Sequence, residues 1–213
     1  MQNAFTNRHD LSSLAVAGGL CGIVGTLCYV AGAFLPLPDR VGYGVVMLWP
    51  VLSVIFAFAL YRVIAAERDG PWNQLAFVFA CLAFATVAAM ISVQLAVRLG
   101  MAEVVATAPS SDVAFGTLRR GLRLVDMGLD VAWDVLVGTS LVLLGGALRR
   151  DSRYGKAWGA AAGLLGVVLV ALNVATFPWP PATRGLVDVG PLVGLLVVAV
   201  GVRLMTLGLR GRA

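Results

Sequence analysis

The chain alternates long apolar runs with short polar breaks. The first run, Leu11 to Leu35, is longer than the apolar segment of a signal peptide and has only a weakly charged lead. It therefore reads as a membrane helix, ended by Pro36, Pro38, Asp39 and Arg40. Five further runs of similar length predict spans over 43–64, 72–99, 126–148, 157–177 and 187–207. Each is near the roughly 20 residues that cross a hydrocarbon layer. The second carries Pro50 in its first half, and the fifth stops at Pro178, Pro180 and Pro181. The one long interruption, 100–125, holds a polar turn at Pro109-Ser110-Ser111-Asp112 and then an arginine-rich stretch. Residues 113–125 are expected to form an interfacial or re-entrant helix. The expected fold is an all-α, six-span transmembrane bundle forming a single integral membrane domain, 1–213.

Composition strengthens this reading. Hydrophobic residues make up 60% of the chain and charged residues 13%, and the mean hydropathy is +0.91. Soluble domains carry about a quarter charged residues, so soluble and disordered classes are both excluded. The formal charge is +5, but the basic residues sit at the ends of apolar runs. They read as topology anchors rather than as nucleic-acid contacts, and no nucleic-acid partner is expected. With the N-terminus inside, ten basic residues fall on the inner segments and six on the outer ones, which favours both termini in the cytoplasm. Four of those six, Arg98, Arg119, Arg120 and Arg123, lie in the third connection and call for a reason other than topology.

The single histidine, His9, excludes histidine-ligated haem, His-rich zinc sites and a Ser-His-Asp triad. Cys21 and Cys28, seven residues apart on one helix, stand about 10 Å apart, beyond the reach of a disulfide. They and Cys81 read as small apolar fillers. Gly18 with Gly22, Gly159 with Gly163 and Gly190 with Gly194 have the spacing that lets helices approach closely. Packing within the bundle is the favoured use, and a homo-oligomeric face is the alternative. Trp49-Pro50-Val51-Leu52 and Trp133-Asp134-Val135-Leu136 form a faint internal echo.

One constellation departs from this plan. Asp126, Asp130 and Asp134 are spaced i, i+4, i+8 along the fourth span, within an arc of about 80° on a helix. Arg119 and Arg123 extend the same stripe and Trp133 borders it. A carboxylate facing lipid near mid-bilayer costs on the order of 3 kcal/mol, so the acids are expected to point into the bundle. Asp134, about 12 Å past Asp126, is expected to approach the middle of the membrane. Gln94, Arg98, Asn173, Arg184 and Asp188 fall on the same side of the membrane, whereas the inner halves of the spans are nearly pure hydrocarbon. The candidate site therefore has Asp130 and Asp134 as buried, catalytic-type acids. Asp126, Asp188, Asn173, Gln94, Arg98, Arg123 and Trp133 form its ligand-binding wall.

Three readings of this constellation compete. The first is an intramembrane enzyme or binding protein for a lipid or isoprenoid-like apolar ligand, using a protonated acid, or Mg²⁺ held by Asp126, Asp130 and Asp134 on a lipid diphosphate. The second is a small proton- or cation-coupled transporter. The third is a non-catalytic sensor or partner subunit, in which Arg98, Arg119, Arg123 and Arg184 simply neutralise the acids. No other cofactor is evident. Water reaching both faces would favour transport, and a dry, fully paired cluster would favour the third reading.

The stripe Asp-x-x-x-Asp-x-x-x-Asp resembles part of the aspartate-rich motif of membrane prenyltransferases, although the second such motif and the additional helices of that family are missing here. Three segments, Val125-Asp126-Met127-Gly128-Leu129-Asp130, Leu172-Asn173-Val174-Ala175-Thr176-Phe177-Pro178 and Asp188-Val189-Gly190-Pro191-Leu192-Val193-Gly194-Leu195, together resemble a family of bacterial multi-pass membrane proteins of unknown function. That resemblance covers about Asp126 to Leu207. It implies a bacterial inner-membrane location and points to Asp126, Asp130, Asn173 and Asp188 as shared motif positions.

Overall fold

A computed structural model describes residues 8–107 and 112–211, with six long helices: α1 (Arg8–Phe34), α2 (Asp39–Arg68), α3 (Pro71–Thr107), α4 (Asp112–Leu148), α5 (Gly155–Thr176) and α6 (Gly190–Leu209). All six are long and apolar enough to cross a membrane. The protein is an integral membrane helical bundle. The polar turn expected at Pro109–Ser111 and the tail residue Arg212 lie outside the described residues.

The antiparallel order puts the start of α1, the end of α6 and the α2–α3 and α4–α5 turns at one end, here called the terminal end. The other three connections lie at the far end. From α1 to α5 each helix packs on its sequence neighbours, and α6 lies against α1, whereas α5 and α6 meet only sparsely. Glycine sets the closest approaches. A methyl group added at Gly145 of α4 would lie 2.7 Å from the Gly159 carbonyl of α5, and one at Gly19 of α1 would lie 2.5 Å from the Gly201 carbonyl of α6. Gly18 and Gly22 face Ala59 and Phe56 of α2, so two of the three expected small-residue pairs work inside the bundle. The third does not: Gly190 meets only its own Asp188, and Gly194 has ordinary contact with Thr26.

The boundaries differ most from the expected ones at the α3–α4 connection, where α3 runs to Thr107 rather than Leu99. Residues 113–125 are not a separate interfacial or re-entrant helix; they are continuous with α4. Nothing in that stretch breaks a helix, since it contains no proline and its glycines lie in open space. With α3 and α4 each 37 residues long, about 55 Å, this hairpin overshoots a hydrocarbon core of about 30 Å at the far end. The sixth helix begins at Gly190, not Val187, which leaves Asp188 just outside it.

The terminal end is closed by a core in which Ala15, Ala59, Leu60, Val63, Leu148, Ala162, Leu204 and Leu207 from five helices are buried together. It is also charged: residues that bound the spans there join Arg203 of the sixth span in one network. Arg153 donates to Asp151 Oδ2 at 2.7 Å and to the Val63 carbonyl at 2.6 Å. Arg203 of α6 donates to the Arg153 carbonyl at 2.6 Å. Glu67 accepts the Ser152 N–H at 2.8 Å and its hydroxyl at 2.9 Å. Asp151 is 2% exposed, so its charge is held by partners rather than by water. This clasp ties α2, the α4–α5 turn and α6 together.

Candidate functional site

Position along α4 follows from the helix rise. Measured back from Leu148, Asp134 stands about 21 Å from the terminal end, Asp130 about 27 Å and Asp126 about 33 Å. With Leu148 at one edge of a core about 30 Å thick, Asp134 lies about 9 Å inside the far edge, Asp130 near that edge and Asp126 just beyond it. On that placement Asp134 stands about a third of the way in from the far side.

Asp134 does face the interior, at 6% exposure. Its Oδ2 accepts 2.9 Å from the side-chain amide of Asn173, which is fully buried on α5. That amide also donates to the Leu169 carbonyl at 3.0 Å, so both Asn173 N–H groups are used. The Asn173 Oδ1 is buried with no partner, as are the Trp133 indole N–H and the Ser53 hydroxyl. Asn173 is the only hydrogen-bond partner of Asp134 among the described residues. Buried polar atoms are nearly always paired; the fourth unmet one among the described residues, the Tyr154 hydroxyl, lies at the terminal end.

The other three share a level. By helix rise, Ser53 stands about 22 Å from the terminal end of α2 and Asn173 about 27 Å from that of α5, close to the 21 Å of Asp134. Above this layer lies an aromatic chain. The Trp133 ring meets Trp49 edge-on at 5.7 Å, and Trp49 meets Tyr29 at 4.3 Å, linking α4, α2 and α1. Tyr29 lies within electrostatic range of Asp130, Asp134 and Asp188. The Tyr43 and Ser92 hydroxyls are 3.2 Å apart, joining α2 to α3.

The remaining predicted residues are less concentrated. Asp130 is partly buried, within range of the Asp126 and Asp188 charges. Asp188 is exposed, and its carboxylate caps α6 by accepting the Gly190 N–H at 2.8 Å. Gln94 donates to Asp126 at 2.7 Å. Arg98 is ion-paired with Asp39, not with the stripe. Arg184 lies over the Trp179 ring at 5.5 Å. Among the described residues no arginine is ion-paired with Asp130 or Asp134, so the neutralising network does not form. Nor does any group of three His, Cys, Asp or Glu side chains among the described residues converge to hold a metal ion.

A cleft of about 610 Å³ opens beyond the acids rather than around them, between α3 and α4. Gln94, Arg98, Arg123 and Asp126 line it, and so do Arg119 and the apolar Val93, Val97, Met101 and Leu122. Sequence reasoning missed Ser53 and Tyr29 as members of the polar region. Ser53 is a single hydroxyl in an apolar run, and only its burial against Gly25 of α1 reveals it.

These features define a six-span membrane protein with three of four unmet buried polar atoms, among the described residues, away from a charged clasp at the terminal end. No family model matches the chain, and neither a curated protein nor a solved structure does.

Proposed function

We propose that the protein holds a lipid or isoprenoid-like ligand in the far half of the bundle, with the ligand's polar end, such as a hydroxyl, at the Asp134–Asn173 layer. The observation that carries this is the set of buried groups without partners: Asn173 Oδ1 awaits a donor and the Trp133 N–H awaits an acceptor. A hydroxyl supplies either. An unmet buried polar group costs about 1–3 kcal/mol, which a ligand at this level would recover. The surroundings, Trp49, Trp133 and leucine-rich helix faces, suit an apolar chain. The sparse α5–α6 contact gives such a chain a lateral route from the bilayer. The sealed terminal end favours holding a ligand over passing one through. The resemblance to bacterial multi-pass proteins supports an inner-membrane location, and the bias of basic residues toward the inner segments supports cytoplasmic termini. A cysteine introduced at Arg150 should then resist impermeant thiol reagents added outside cells.

The test is a titration of the purified protein with a long-chain isoprenoid alcohol, followed by tryptophan emission. A saturable change is expected for the alcohol and none for an alkane of equal length. Asn173→Ala should weaken binding about tenfold, the equivalent of one hydrogen bond. Identical responses to alcohol and alkane would overturn the reading.

A further inference from the structure

The α3–α4 cleft has properties that the Asp134 layer does not explain. Its floor, Asp126 bonded to Gln94, lies at the edge of the hydrocarbon core. Its apolar wall is Val93, Val97, Met101 and Leu122, and two arginines, Arg119 and Arg123, stand at its mouth. Neither arginine is ion-paired among the described residues, whereas Arg98 beside them is neutralised by Asp39. Along α4, Arg123 and Arg119 stand about 37 and 43 Å from Leu148, and an ordinary tilt of about 20° reduces these depths to about 35 and 41 Å. A bilayer including its headgroups is about 40–45 Å thick. With Leu148 at the near edge of the hydrocarbon core, the far headgroup layer spans about 30–37 Å, so Arg123 stands within its outer part and Arg119 a few ångström beyond, within reach of a long side chain. The cleft therefore presents unpaired positive charge at the level of the lipid phosphates, beside apolar side chains that run outward from Val93 at the edge of the core.

We propose that the α3–α4 cleft is a binding site for the phosphate headgroup of an anionic phospholipid, with Arg119 and Arg123 as its cationic contacts. A guanidinium fork pairs with phosphate oxygens in bidentate fashion, which favours arginine over a point charge here. This site is separate from the Asp134 layer and does not depend on that reading. It also supplies the reason, beyond topology, for arginines clustered on the third connection.

The experiment is native mass spectrometry of the protein released from nanodiscs of phosphatidylcholine containing a minority of phosphatidylglycerol. The wild-type protein should retain phosphatidylglycerol about tenfold over its share in the disc, as expected for two juxtamembrane cationic contacts. Arg119→Gln combined with Arg123→Gln should bring retention to parity, while the unfolding midpoint and the alcohol response stay as in the wild type. Arg120→Gln removes the same charge from an exposed position outside the cleft and should leave the preference intact. The proposal is overturned by any of three results: equal retention of both lipids by the wild type, an equal loss in Arg120→Gln and Arg123→Gln, or displacement of the lipid by inorganic phosphate. The last would assign the cleft to a soluble phosphate. If the double variant does not fold, the comparison of the two single variants decides.

Discussion

The two ends of this bundle treat buried polarity in opposite ways. At the terminal end, Asp151, Arg153, Glu67 and Arg203 are joined by short hydrogen bonds and ion pairs, and every charge that leaves water gains a partner. In the far half, Asp134 has one neutral partner, and Asn173, Trp133 and Ser53 each keep an unmet atom. Burying an ion pair is close to neutral when complete and costly when broken, so the clasp reads as a fastening. Unmet groups add nothing to folding, and the terminal end holds one of them, the Tyr154 hydroxyl. The contrast separates a half that fastens the bundle from the half in which we propose that a ligand sits.

Breaking the clasp should have the largest effect. Arg153→Ala leaves Asp151 buried without its cation and should cost about 3–5 kcal/mol, read as a large fall in the unfolding midpoint in detergent. Packing should show a smaller version of the same asymmetry. Gly145→Ala forces a methyl group against the α5 backbone and should cost about 1–3 kcal/mol. Gly128→Ala adds a methyl group to open space in the far half and should change the midpoint by less than about 1 kcal/mol, toward greater stability.

A finer test concerns Tyr154, which lies in the turn beside the clasp. Burial pushes its phenol above the ordinary value near 10, Asp151 adds to this, and Arg153 and Arg203 oppose it. The neutral phenol is thus favoured in the folded state. Its contribution is fully present below pH 10 and is lost as the pH rises toward the higher folded value. Its hydroxyl has no partner, so Tyr154→Phe should match or slightly exceed wild-type stability at neutral pH. The variant should also lose less stability above pH 10, as measured by midpoints across an alkaline series.

The spans were legible because each apolar run is bounded by prolines or charges, such as Pro36 to Arg40 and Glu67 to Pro71. The inward turn of Asp134 followed from the cost of a carboxylate in lipid. What spacing along one chain cannot carry is which helix lies opposite. Asn173 was placed in the wall, but its bond to Asp134 depends on α5 packing closely on α4 through glycines. Arg98 and Arg123 stand beyond the level of Asp130 and Asp134 and face other partners, because α3 and α4 continue well past the membrane. Asp151 and Glu67 lie in the connections between spans, where sequence alone does not show that they are drawn together. Their opposite sign to Arg153, at the same end of the bundle, was the available clue to the clasp.

The most direct test of the two-ended account is the unfolding midpoint of Asp134→Asn, measured with and without the isoprenoid alcohol. The change is isosteric and its oxygen can still accept from Asn173, so midpoints within about 1 kcal/mol of wild type are predicted without ligand, together with a clearly reduced stabilisation by the alcohol. A fall comparable to that of Arg153→Ala, with the response to alcohol unchanged, would make the far half a structural fastening like the other and contradict the account.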